Sequence, residues 1–173
     1  DRVTVALVDD GFDAAYKIVK DARDPSIPGL DKRLKPVLQT IEGAAHIDQR
    51  ILQSFADQKG ETVTVNKSNG TSLTVKVDEV RQGVIHGSQE ISIPGGSAVA
   101  RREFTFTVDS LSEEERLNRM GSDDEPPVAL IKGLRALKAV DYDRAARFFA
   151  LLDDPLGARL LEHVKSEVDA LRE

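Results

Sequence analysis

The sequence contains no cysteine, no tryptophan and a single methionine, Met120. The missing cysteines exclude disulfides, thiolate zinc sites and a cysteine nucleophile. Aromatic residues make up only 5% of the chain, so a core has to be assembled from Leu, Val, Ile and Ala. No apolar run reaches the roughly 20 residues that cross a bilayer, and membrane insertion is not expected. Positive charge is also short: 24 Lys and Arg stand against 30 Asp and Glu, a net −6. That balance argues against broad, charge-driven binding to nucleic acid or anionic lipid, which needs clustered Lys and Arg. The chain opens at Asp1 with neither Met nor a signal-like stretch, which reads as a piece of a longer protein. Its 173 residues can hold one domain or two small ones, with a core large enough to stand without staples.

What is present is organised around an internal similarity. Residues 6–41 align without gaps on 136–171, a shift of 130. Ala6 falls on Ala136, Leu7 on Leu137, Asp13 on Asp143, Ala15 on Ala145 and Leu30 on Leu160. Phe12 meets Tyr142, Val19 meets Phe149, and Asp24-Pro25 meets Asp154-Pro155. Matched apolar positions follow from helical periodicity alone; matched helix breakers are harder to obtain by accident. In Asp141-Tyr142-Asp143-Arg144-Ala145 an acidic residue stands ready to cap a helix, and a small residue lets two helices approach. Asp154-Pro155 then ends one helix and starts the next, because proline suits a first helical turn.

The residues Tyr142, Ala145 and Pro155 carry a resemblance: the segment from Ala136 to Ala145 resembles the turn between the two helices of a tetratricopeptide repeat. The proline stands about two residues earlier than in that family. The resemblance spans residues 128–173 and, more faintly, 3–41. It implies helical hairpins and a protein–protein role, and no chemistry. A longer apolar periodicity, from Leu34 and Val37 to Ile51 and Phe55, predicts a helical stretch that ends near Gly60, with Pro36 either starting or kinking it.

At Glu61 the period changes from helical to two. Val63 and Val65 alternate with threonines, Asn69-Gly70 gives a hairpin signal, and Leu73, Val75 and Val77 alternate again. Val84-Ile85 resumes after Gly83, Ile91 and Ile93 precede a turn at Pro94-Gly95-Gly96-Ser97, and Phe104, Phe106 and Val108 close the set. Four or five short antiparallel strands in so little chain are expected to curl into a barrel or pack on helices. The stretch Gly70–Gly87 resembles small SH3-like or Sm-like barrels. Ser112-Glu113-Glu114-Glu115 reads as a capping box, and residues 121–127 as an acidic linker.

Candidate chemistry is sparse. His46, His86 and His163 form no ligand pair beyond His86 with Glu90 on one strand face, and two ligands do not make a zinc site. Gly95-Gly96-Ser97 lacks both the Gly-x-Ser-x-Gly elbow and a following Lys-Ser/Thr, so it reads as a turn. Asp9-Asp10, Glu113–Glu115 and Asp123-Asp124-Glu125 sit near helix ends or in a linker, where capping and solvated charge account for them. Arg101 and Arg102, with Lys76, Lys67 and Arg81, supply the one candidate nucleic-acid face, with Phe104 and Phe106 as stacking rings. The same strands carry offsetting acids, and both rings share a face with Val108 that reads as core.

The expected architecture is therefore α+β: an N-terminal helical hairpin over 1–59, a small antiparallel β-barrel of four to five strands over 60–110, a short helix and acidic linker over 111–127, and a tetratricopeptide-like hairpin over 128–173. The expected function is a non-catalytic protein-interaction or scaffolding module of a larger multidomain protein. No cofactor or metal is expected, and the protein partner, compartment and self-association are left open. The rival readings are a nucleic-acid-binding small β-barrel contacting its ligand through Arg101, Arg102 and Lys76, and an enzyme of unrecognised type.

Overall fold

The computed structural model describes residues 2–9, 11–92 and 99–171. The chain is α+β, with helices α1 (Arg2–Val8), α2 (Phe12–Asp21), α3 (Leu30–Ala45) and α4 (Ile47–Asp57), strands β1 (Thr62–Asn66), β2 (Ser72–Arg81), β3 (Val84–Ser92) and β4 (Val99–Thr107), then helices α5 (Glu113–Arg119), α6 (Pro126–Lys138), α7 (Tyr142–Phe149) and α8 (Pro155–Ala170). Two compact units result: residues 1–47 with 122–173, which are helical, and residues 48–121, which hold the sheet. Among the described residues, no helix is long and apolar enough to cross a membrane.

In the helical unit the sequence similarity has a backbone counterpart. Asp9 N–H donates to Val5 O at 3.2 Å and Ala139 N–H to Arg135 O at 3.0 Å. Gly11 N–H donates to Ala6 O at 2.8 Å and Asp141 N–H to Ala136 O at 2.9 Å. Ala15 N–H donates to Gly11 O at 2.8 Å and Ala145 N–H to Asp141 O at 2.9 Å. Every pair is related by the same shift, so the turn α1–α2 and the turn α6–α7 satisfy their orphaned helix-end groups in the same way. Leu7, Ala15 and Val19 are buried, and so are their counterparts Leu137, Ala145 and Phe149. The small residues set the helix spacing: a Cβ on Gly133 of α6 would stand 2.3 Å from the ring of Phe149 on α7.

The shared Asp-Pro pair has two outcomes. Asp154 caps α8, its Oδ1 accepting from the N–H groups of Leu156 at 2.8 Å and Gly157 at 3.1 Å. Asp24 instead closes an exposed turn, its Oδ1 accepting from the hydroxyl of Ser26 at 2.6 Å and from its N–H at 2.9 Å. The hydroxyl bond, then the backbone bond, holds the Asp24 carboxyl below the usual carboxylate range. The cause of the divergence lies two residues on. Gly157 leaves no room for a side chain, a Cβ there lying 2.5 Å from Leu152 O, and its counterpart is Ile27. Pro28, which follows, also has no N–H to give to a helix. The third helix of the first copy is thus delayed to Leu30, and Pro36 lies inside it.

The expected uninterrupted stretch to Gly60 is broken at His46. This residue leaves helical geometry at φ −103°, ψ 19°, and its Nδ1 lies 2.8 Å from Glu42 O. The second unit opens beyond that break. Its four strands lie in the order β1-β2-β3-β4, all antiparallel. The expected barrel does not form: among the described residues β1 pairs only with β2 and β4 only with β3, so the sheet stays open. Helices supply the cover that closure otherwise provides. Phe55 of α4 meets Phe106 edge-on at 5.6 Å over the apolar face that also carries Val63, Val65, Val75, Val77 and Ile85. The strand count is four because Val84 to Ser92 is one strand. The tightest hairpin is Gln82-Gly83, both at positive φ (53° and 78°), as a two-residue turn matching strand twist requires. The turn at Pro94-Gly95-Gly96-Ser97 lies outside the described residues.

One ion pair ties this unit together. Arg119 donates to Glu115 Oε1 at 2.6 Å and to Gln58 Oε1 at 2.8 Å, and its guanidinium lies 3.8 Å from the Phe55 ring centroid. Glu115 Oε2 accepts from Asn66 N–H of β1 at 3.3 Å. Ser112 caps α5 by accepting from Glu115 N–H at 3.1 Å, while the Glu115 carboxylate joins α5 to the sheet.

Two stability outcomes follow. Gly133→Ala forces Phe149 aside and should destabilise the helical unit by about 2 kcal/mol, as overpacking of a tight core does; Ala145→Leu should do the same, and an unchanged chemical-denaturation midpoint in both variants would refute the close-packing account. Arg119→Met leaves Glu115 largely buried and unpaired, and should cost about 3 kcal/mol in the sheet unit in urea denaturation followed by circular dichroism.

Candidate functional site

Of the three basic residues singled out in the sequence, two share a sheet face and the third does not. Strand alternation puts Lys76 and Arg101 on the polar face of the sheet and Arg102 on the other, where its guanidinium lies 5.0 Å from the Phe104 ring. Phe106 is buried under α4. Lys76 stands opposite Ser88, and Arg101 opposite Glu90. Asp78 is the extra residue of a bulge between Val77 and Glu79. It accepts from Arg101 at 2.9 Å and from the buried Ser88 hydroxyl at 3.2 Å. These side chains line a shallow cavity of about 410 Å³ in which acids alternate with bases. The arrangement offers polar contacts without a positive stripe.

The histidines are equally dispersed. His46 sits at the end of α3, His86 lies on the polar sheet face opposite Glu79 and Thr105, and His163 lies on α8. Among the described residues no three His, Cys, Asp or Glu side chains are placed to hold a metal ion. Of the acidic clusters, Asp123 is paired with Lys132 and Glu115 is structural; Asp10 lies outside the described residues.

The helical unit carries a second hollow. A trough of about 310 Å³ runs between α1 and α8 and is floored by Val5, Val8, Leu137 and Tyr142, with His163 and Glu167 on its α8 side. A smaller hollow of about 230 Å³ continues it past Thr4 to Arg159 and Ser166, sharing Val5 and His163. Val5 is 57% exposed, high for a large aliphatic residue within a helical face. The sequence reading missed this trough. Its one local sign is the spacing of Val5 and Val8 on a single helical face, a pattern that any core helix also shows.

Val140 stands in the turn between α6 and α7. It is 62% exposed and has φ 61°, a left-handed conformation that a β-branched residue avoids. The strain is fixed by the turn bonds on either side, Val140 N–H to Leu137 O at 3.0 Å and Asp141 N–H to Ala136 O at 2.9 Å.

Comparison of the chain with known families, curated proteins and solved structures returns no match.

Relief of the Val140 strain is measurable. Val140→Gly should raise stability by about 1 kcal/mol, since glycine takes left-handed φ without steric cost. A loss of stability in thermal denaturation would mean that the exposed isopropyl group, rather than the backbone, matters at this turn.

Proposed function

We propose that this chain is a non-catalytic protein-interaction module, a scaffolding piece of a larger multidomain protein, and that the helical unit is its contact surface. The observation that carries the reading is the trough along α1 and α8, where Val5, Val8, Leu137 and Tyr142 offer apolar contact and Lys138, His163 and Glu167 frame it with charge. Apolar floors with polar rims suit helical or extended peptide segments of partner proteins. The tetratricopeptide-like features of α6–α8 agree with this role: Tyr142 beginning α7, the small buried Ala145 at the crossing and Pro155 opening α8. The polar face of the sheet is proposed to make weaker, salt-sensitive contacts.

The test is affinity capture from a lysate of the source cell, comparing the intact chain with Val5→Asp and Tyr142→Ala. Both substitutions alter the trough and leave the buried core in place. The expected result is a specific protein retained by the intact chain and lost with Val5→Asp. Recovery of nucleic acid released by Arg101→Ala, or of no specific protein at all, would overturn the reading.

A further inference from the structure

We infer that the fork between the two β-hairpins of the sheet binds the C-terminal end of an extended peptide, its terminal carboxylate at Lys76 and a basic side chain beside Glu90. This is a second peptide site, within the sheet unit, and it uses none of the residues of the helical trough.

The fork shows in the strand pairing. β2 begins at Ser72 and is paired with β1 from that residue on, while β3 ends at Ser92 and is paired with β4 up to it. Between β2 and β3, however, the ladder joins only residues 76–81 to residues 84–88. Past Lys76 and Ser88 the two hairpins part, and the next pair in register, Thr74 and Glu90, is not joined. A cavity of about 410 Å³ lies at this point, within the ordinary range of ligand pockets.

Main-chain direction decides what the fork offers. Val77 faces the β1 side: its N–H donates to Glu61 O at 2.9 Å and its O accepts from Gly60 N–H at 2.7 Å. Hydrogen-bonding sides alternate along an antiparallel strand, so Lys76 and Thr74 face β3. Lys76 is opposite Ser88, and by the same alternation Ser88 and Glu90 face β2. Thr74 and Glu90 therefore turn their N–H and C=O groups towards each other across the fork, with no ladder partner among the described residues. Unpaired strand groups of this kind are the template on which an added strand forms.

The side chains define the ligand's charges. Arg101 stands opposite Glu90 but reaches past it to Asp78, at 2.9 Å. Asp78 also takes the hydroxyl hydrogen of the buried Ser88, so Arg101 and Asp78 neutralise each other over Ser88. Lys76 and Glu90 are exposed and enter no ion pair among the described residues. The fork thus carries one unused cation at its closed end and one unused anion a step further out.

A segment lying in the plane of the fork has to end where Lys76 and Ser88 join the strands. A carboxylate end meets the Lys76 ammonium there, whereas an amino end meets a like charge. The segment then runs antiparallel to β3 and parallel to β2. Its penultimate residue exchanges both bonds with Glu90, and its two neighbours bond Thr74, which is how antiparallel and parallel pairs differ. Alternation puts that penultimate side chain on the polar face beside Glu90, where a basic group is matched. The residue before it points to the opposite face, at the level of Leu73 and Ile91; Ile91 is 41% exposed, and an apolar side chain suits it.

The probe is N-acetyl-Thr-Val-Lys-Ala with a free C-terminal carboxylate, titrated into the isotope-labelled full chain and followed by amide NMR shifts. Saturable shifts are expected at Thr74, Val75, Gln89 and Glu90. Converting the carboxylate to an amide should weaken affinity at least about fivefold, the loss of a charge-assisted hydrogen bond. Lys76→Gln should weaken the free-acid peptide as much, with no further loss on amidation. Exchanging the peptide's lysine for glutamate should weaken binding to the wild-type chain more than to Glu90→Gln. Both substituted side chains are exposed, and an unchanged circular dichroism spectrum checks that the variants fold. Val5→Asp should leave the affinity as it is, which separates this site from the helical trough. Absence of saturable shifts, shifts confined to the helices, or equal affinity for the acid and the amide would each overturn the inference.

Discussion

The absence of a side chain at Gly133 is the constraint from which much of the helical unit follows. The Phe149 ring fills the space that any larger residue there would take. With no tryptophan and few aromatics in the chain, Phe149 is one of the two largest fully buried side chains, so its seating fixes how α6 and α7 cross. Between the two helices the local turn bonds hold Val140 at positive φ, and Asp141 caps α7, its carboxylate accepting from Arg144 N–H at 3.1 Å. The chain then reaches Asp154 and Gly157, whose close approach to Leu152 starts α8 at once. Close approaches at Gly133 and at Gly157 thus recur along the three helices, each where a glycine leaves room for its neighbour.

In the sheet unit the corresponding role belongs to a charge pair. Glu115 and Arg119 are one helical turn apart on α5, yet their partners lie on β1 and α4, and the guanidinium lies against the Phe55 ring. Placing both charges away from water is costly unless their remaining hydrogen-bond capacity is used. Here Asn66, Gln58 and Ser54 use it. The pair orients α4 and α5 over one face of the sheet, and with that face covered the strands have no need to close.

These two cases separate what the sequence reveals from what it conceals. The change of period at Glu61, the cap at Asp141 and the cap at Ser112 were readable because each depends on residues within one turn or strand of one another. The open sheet was not readable, since alternating valines demand cover without saying whether a helix or another strand provides it. His46 hid the break between α3 and α4 because its ring nitrogen meets the Glu42 carbonyl, an end signal absent from the usual glycine and proline code. Gln82-Gly83 was passed over for Asn69-Gly70, although both glycines take positive φ; only the flanking pair Arg81 and Val84 closes a two-residue turn. Arg101 and Arg102 are neighbours in sequence, but strand geometry sends their side chains to opposite faces, which a run of letters does not display.

The ungapped similarity between the chain's two ends can be read at first as the beginning of a repeat array, and its reciprocal packing changes what such a similarity means. An array extends by adding copies and exposes its ends. Here α3 packs on α6 and α8 packs on α1, so the pair closes on itself, and differences between its halves fall where the packing tolerates them. The Ile27 and Pro28 pair delays α3, and the exposed loop ahead of Leu30 absorbs the delay. In the other half Gly157 stands where Ile27 stands, and with no side chain to collide with Leu152 it lets α8 start directly after the Asp154 cap.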